Sequence, residues 1–149
     1  MAAGVMVARL AILGHDAGHQ GFSHSRTLNR FIGTLAFLPA LHPFGRWHYH
    51  HNLIHHRFTC QLGIDNAFPP MSLEGYLEAP QWQRLKYRFL RSLLGQPFFY
   101  LLDIWLPSMF LPMRGPSTSP RYRDLLELFL VYIWLIVFLV LTTLLAAKT

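Results

Sequence analysis

The chain has 149 residues, 52% of them hydrophobic and only 13% charged, with a formal net charge of +6. Soluble domains carry about a quarter charged residues, so this composition is shifted toward a membrane. Cys60 is the only cysteine, which excludes an internal disulfide and any zinc site built from several thiolates. Most cations lie between Arg26 and Arg91 and flank apolar segments. That placement fits anionic lipid headgroups and argues against nucleic-acid binding.

In chain order, Met1 to Gly14 is apolar apart from Arg9. At about 1.5 Å per residue it is too short to span a bilayer, and it lacks the parts of a signal peptide. It reads as the end of a transmembrane helix that begins outside the sequence. His15-Asp16-Ala17-Gly18-His19 follows at once. On an α-helix, residues four apart share a face, so His15 and His19 are placed to close on one ion. Gln20 to Arg30 is polar and is expected to connect along the membrane surface. Phe31 to Leu41 is apolar but short, interrupted by Pro39, and suits an interfacial or re-entrant segment. His42 to Arg46 reads as a turn.

Trp47 opens a second cluster containing His48, His50, His51, Asn52, His55 and His56. In an α-helix His51 and His55 again share a face, whereas His56 points about 100° away, toward a second ion. Asp65 to Pro70 is a proline turn, and Ser72 is expected to cap a helix start. From Gln81 to Leu94, Trp82, Leu85, Phe89 and Leu93 form an apolar stripe, with Arg84, Lys86, Arg88 and Arg91 mostly off it. This is the pattern of a basic amphipathic helix lying on headgroups. Phe98 to Leu111 contains Asp103 and Pro107 and is expected to be interfacial or re-entrant. Arg114 to Pro120 reads as a loop.

Leu125 to Ala147 is long enough to cross a bilayer, and Glu127 is its only charge. The expected architecture is an all-α integral membrane protein. Transmembrane and interfacial helices carry the histidines on one face, the cytoplasmic one by the positive-inside rule. The whole chain, 1–149, is expected to be part of a longer domain.

Imidazole is the commonest metal-binding side chain, and five or more candidates exceed the needs of a closed four-ligand zinc site. His15, His19, His51, His55 and His56 are the candidate ligands. His24 and His42 are read as ordinary satisfied polar residues, while His48 and His50 stay open. A histidine-rich set fits iron doing oxygen chemistry, with zinc and manganese as alternatives. Asp16 is the nearest carboxylate and either orients a ligand histidine through its ring N–H or is a surface helix residue. Asn52 bonds within the site or faces the headgroups, and Cys60 is expected to be buried or interfacial.

These motifs resemble the membrane fatty acid desaturases, within the wider group of histidine-box di-iron oxygenases. His15 to His19, followed by Gln20-Gly21-Phe22, is similar to the first box, HxxxH. Trp47, His51-Asn52 and the doubled His55-His56 are similar to the second, with Arg57-Phe58-Thr59 continuing in that manner. Phe68-Pro69-Pro70-Met71-Ser72 and Asp103-Ile104-Trp105 resemble the acyl-lipid branch. The resemblance implies two iron ions held by His15, His19, His51, His55 and His56, with O2 as co-substrate. An acyl lipid would be the substrate, and a carrier of ferredoxin or cytochrome b5 type the electron donor. The family also has a third box, HxxHH, whereas this sequence has no histidine beyond His56. The piece is therefore expected to be inactive alone. Competing readings are a membrane di-iron hydroxylase or carotenoid ketolase, and a non-catalytic membrane metal-binding protein.

Overall fold

The computed structural model describes residues 2–65, 67, 70–111 and 122–148. The loop expected at 114–120, and Phe68 and Pro69 of the proline turn, lie outside them. The described elements are helical, with no strand among them. They are α1 (Ala2–Gly18), α2 (Arg26–Phe37), a 3-10 turn (Leu38–Ala40) and α3 (Phe44–His48). A π-helical stretch (Tyr49–His55) follows, then α4 (Leu73–Glu78), α5 (Gln81–Leu90) and α6 (Gln96–Phe99). A second π-helical stretch (Tyr100–Phe110) and α7 (Tyr122–Ala146) complete the order. The chain divides into two compact units, 1–48 with 116–149, and 49–115.

In the first unit α1 packs on α2, and α3 touches α1, α2 and α7. The core is Ala17, Phe37 and Phe44, with Ala11 and Trp47 against it. The polar segment expected as a surface connection, Gln20 to Arg30, is a turn followed by a helix start. Its organiser is Asn29, which is fully buried and bonds both backbone groups of Ser23, accepting from the N–H at 2.9 Å and donating to the carbonyl at 2.6 Å. Ser25 then caps α2, its hydroxyl accepting the Leu28 N–H at 3.3 Å. Ser and Asn compete with helix through such local bonds, so the helix begins only after them.

The turn expected at His42 to Arg46 is shorter than that, because Phe44 already starts α3. Gly45 sits inside the helix, where a Cβ would come within 2.1 Å of an Asp124 carboxylate oxygen. The glycine there serves close approach to α7 rather than a bend. α7 is the one described helix long and apolar enough to cross a membrane, over Asp124–Ala146 with mean hydropathy 2.8. Its length, about 35 Å at 1.5 Å per residue, exceeds the roughly 30 Å hydrocarbon core. Leu128 and Val131 are buried against the unit, whereas Phe129, Ile136, Phe138 and Leu141 are more than half exposed.

In the second unit, Ser72 caps α4 as expected, accepting the Gly75 N–H at 3.0 Å. α5 ends at Leu90 rather than Leu94, and its apolar stripe is open: Trp82, Leu85 and Phe89 are all exposed. The segment expected to be interfacial, Phe98 to Leu111, is helical as far as Phe110, in α6 and the second π-helical stretch, with Pro107 inside and Leu111 as the extended C-cap. Cys60, expected to be buried or interfacial, is an exposed thiol on a backbone with φ of 60°.

Candidate metal centre

The first histidine pair stands at the end of α1, with His15 in its last turn and His19 just past it. The His15 and His19 rings stand 4.5 Å apart, edge to face. One indole holds them: the Trp47 ring lies 5.5 Å from His15 and 6.4 Å from His19, and packs on Phe37 at 4.8 Å. Gly18 makes this possible. A Cβ there would come within 2.4 Å of the Trp47 ring. The small residue between the two histidines is thus the seat of the aromatic side chain that braces them. Asp16 approaches His15, with Oδ1 3.3 Å from Nδ1, in an exposed contact. This is the first of its two expected roles, in a long and solvated form.

The second group lies on the π-helical stretch, and its register differs from the α-helical expectation. The His56 N–H donates to the carbonyl of His51, five residues back, at 2.9 Å. Hence His51 and His56 share a face. Their Nε2 atoms are 3.1 Å apart, and their ring centroids 4.6 Å, against 5.6 Å for His51 and His55. The pairing expected between His51 and His55 gives way to His51 with His56. π-Helical turns are rare and frequently occur at functional sites. Two imidazole nitrogens at about 2.0–2.1 Å from one ion, roughly at right angles, stand about 3 Å apart. The His51–His56 spacing matches, and an all-imidazole donor set suits iron, zinc, copper or nickel.

His55 takes a different partner, which spacing alone did not reveal. Its Nδ1 lies 3.0 and 3.2 Å from the two carboxylate oxygens of Asp65. Asp65 is 2% exposed. It also accepts the Cys60 N–H on Oδ2 at 2.8 Å and the Ala67 N–H on Oδ1 at 2.9 Å. Burial disfavours its charge, but the Ala67, Cys60 and His55 hydrogen bonds outweigh that and hold the carboxyl below the usual range. The only sequence signal was an Asp opening a proline turn ten residues after a candidate ligand.

The remaining histidines fall elsewhere. His24 is exposed. His42 is buried against Phe37, with Nδ1 on the Ala40 carbonyl, and burial drives its pKa down to about 4. This is the satisfied polar residue expected. His48 stacks near Phe44 at 6.2 Å, and burial, with Arg30 nearby, lowers its pKa. His50 packs edge-on to Tyr49 at 5.2 Å.

The described residues place the chain in the class of helical proteins that carry one helix apolar enough to cross a membrane and two groups of histidines. Within it the assignment is specific. The chain matches the fatty acid desaturase family model over residues 1–148, and it belongs to that family. It is 38% identical over 91 residues to the sn-1 oleoyl-lipid 12-desaturase of Picosynechococcus sp., covering 61% of this chain and 26% of that protein. It is 32% identical over 124 residues to the enzyme of the same name from Synechocystis sp., covering 83% of this chain and 34% of that protein. The sn-1 acyl-lipid omega-3 desaturase (ferredoxin) of Synechocystis sp. is 34% identical over 96 residues, 64% of this chain and 26% of that protein. The aligned stretch is thus about a quarter to a third of these relatives' length. No solved structure matches the chain.

Proposed function

We propose that the protein is an acyl-lipid desaturase using O2, and that His15, His19, His51, His55 and His56 are ligands of two iron ions. The observation that carries this reading is the 3.1 Å separation of the His51 and His56 Nε2 atoms, in a chain that matches the desaturase family over residues 1–148. Iron held by these residues would supply the oxidising power for the net reaction, in which O2, two electrons from a carrier, two protons and two hydrogens from adjacent CH2 groups give a double bond and two waters. The protein's part is to hold the donors. Trp47 braces the first pair, and the π register aligns His51 with His56. Convergence of the two histidine groups on the same pair of ions is part of the proposal, as is their position on the cytoplasmic side of a membrane crossed by α7. The remaining ligands would come from a third histidine group in the whole protein. This chain alone is therefore proposed to bind metal without turning over.

Relatives named as oleoyl-lipid and acyl-lipid desaturases, one of them with ferredoxin in its name, support an acyl chain on a lipid as substrate and a ferredoxin as donor. A cytochrome b5 type carrier is the alternative donor. The test is a reaction of the whole protein, in vesicles, with an sn-1 oleoyl lipid, reduced ferredoxin and O2. A new double bond and iron near two per chain are expected. A hydroxyl or keto product without an alkene would replace the reading with a hydroxylase or ketolase. Zinc at one per chain and no product would leave a non-catalytic metal-binding protein. His51→Ala and His55→Ala should each lose product and iron, whereas His24→Ala should retain both.

A further inference from the structure

We infer that Asp65 is a positioning residue: it fixes the tautomer and ring orientation of His55, so that the Nε2 lone pair is the one offered to a metal. The inference rests on the reading of His55 as a ligand and adds a residue that this reading does not contain.

Both oxygens of Asp65 are engaged twice over. Oδ2 receives the Cys60 N–H and Oδ1 the Ala67 N–H, while the pair together faces His55 Nδ1 at 3.0 and 3.2 Å. A carboxylate accepts only, so Nδ1 must be the protonated nitrogen, and Nε2 is left with its lone pair. The position of the carboxylate is set by backbone, because two main-chain N–H groups five and two residues away hold it. At 2% exposure water does not compete for it. His55 is also restrained at its own backbone, where the Thr59 hydroxyl donates to its carbonyl at 2.6 Å. His55 is thus held at its ring by Asp65 and at its backbone by Thr59, both from the segment that follows the π-helical stretch. A histidine ligand whose second nitrogen donates to a carboxylate is a better oriented and more basic donor, and losing such a partner typically weakens metal binding about 10- to 100-fold.

Asp16 offers His15 a similar contact, but at 3.3 Å and with both side chains about half exposed. Water competes there, and the same role is not assigned to it. Asp65 is the buried, backbone-anchored member.

An isosteric change separates position from mere packing. In Asp65→Asn one oxygen becomes an amide NH2. Whichever oxygen it replaces, the NH2 confronts a backbone N–H with a donor and also faces Nδ1, where its own donation would force the proton onto Nε2. Asp65→Glu keeps an acceptor and should restore part of the effect. The experiment uses the full 149-residue chain in detergent micelles with 15N-labelled histidine. Long-range proton–nitrogen spectra read the His55 tautomer without metal, and a Co(II) titration read by visible absorption gives affinity. The expected result is an Nδ1–H tautomer in the native chain, a shift to Nε2–H or a mixture in Asp65→Asn, and Co(II) binding weakened about 10- to 100-fold. Asp65→Glu should return both toward native values. An unchanged His55 tautomer in Asp65→Asn, or an Nε2–H tautomer in the native chain, would overturn the inference. His55→Ala keeps the two readings apart. If that variant binds Co(II) as the native chain does, His55 is not a ligand and the proposed function loses that residue, while the tautomer spectra still decide the role of Asp65. Should Asp65→Asn lose its helical circular dichroism, the tautomer of His55 in the native chain decides: Nδ1–H upholds the inference and Nε2–H overturns it.

Discussion

Arg30 of α2 and Glu127 of α7 form a two-nitrogen contact: Nε and Nη2 lie 2.8 and 2.6 Å from the same carboxylate oxygen, Oε1. The other oxygen of Glu127 accepts the backbone N–H of Gly45, and Arg30 also reaches Asp124 at 3.2 Å. Glu127 was the one charge inside an otherwise apolar 23-residue run, and this contact explains its presence there. It is buried, and it ties the first turns of α7 to α2 and to the start of α3. Breaking a buried pair on one side strands the other charge, which costs more than the pair contributes.

Arg30→Ala should therefore destabilise the chain by about 1–3 kcal/mol, less than a fully buried pair would give because Arg30 is about a third exposed. Arg30→Lys keeps the charge but loses the planar fork, and should fall between. Adding Glu127→Leu to Arg30→Ala should recover part of the loss. Thermal unfolding in detergent measures all three. A double variant less stable than Arg30→Ala would show that Glu127 does more than answer Arg30.

Replacing Gly18 by Ala should loosen the first histidine pair. The added methyl would lie 2.4 Å from the Trp47 ring, so the indole must move, and His15 and His19 pack on that indole. Overpacking of this kind typically costs about 1–3 kcal/mol. We expect lower stability, blue- or red-shifted Trp47 fluorescence and weaker metal binding. Gly4→Ala, at a position with no heavy atom within 4 Å of its Cβ, is the control and should change none of these. Since the chain has four tryptophans, the fluorescence comparison is made with Trp47→Phe in parallel.

If His51 and His56 bind one ion, their alanine variants should not add. Each single change should remove most of that ion's affinity, and the double variant should lose little more. The α-helical alternative predicts this non-additivity for His51 with His55 instead. Metal titrations of the three singles and two doubles distinguish the registers, because the strongest coupling marks the pair that shares an ion.

His42 makes stability depend on pH below neutrality. Its folded pKa is lowered to about 4, chiefly by burial, against an ordinary 6.5. Between those values the unfolded chain takes up a proton that the folded chain refuses, so stability falls as the pH is lowered from 6.5 to 4. The full span is worth up to about 3 kcal/mol, and the contribution is flat outside the window. Unfolding midpoints of the native chain and His42→Gln, compared from pH 7 to pH 4, should converge as the pH falls. Parallel curves would remove His42 as the cause.

Much of this protein is legible without coordinates because the signals are local. A bilayer-length apolar run needs no tertiary context to be read, and α7 lies where the run of Leu125 to Ala147 put it, starting a few residues earlier. The Ser72 cap and the satisfied His42 are likewise decided by near neighbours. The family resemblance rested on residue types in order, and the match over residues 1–148 agrees with it.

What packing alone decided is how those residues face one another. The four-residue rule assumes an α-helix, and one extra residue per hydrogen-bonded turn from His51 to His56 exchanges the paired histidines. Asp65 as the partner of His55, Trp47 seated on Gly18 and Arg30 under Glu127 all join residues whose spacing carries no periodic signature. Ten, twenty-nine and ninety-seven positions separate these pairs in the chain. Composition and periodicity report which side chains must leave water and how a helix orders its own surface. They cannot report which distant group fills the space or answers the charge, because that is settled by close packing and by the cost of leaving a buried polar atom unbonded.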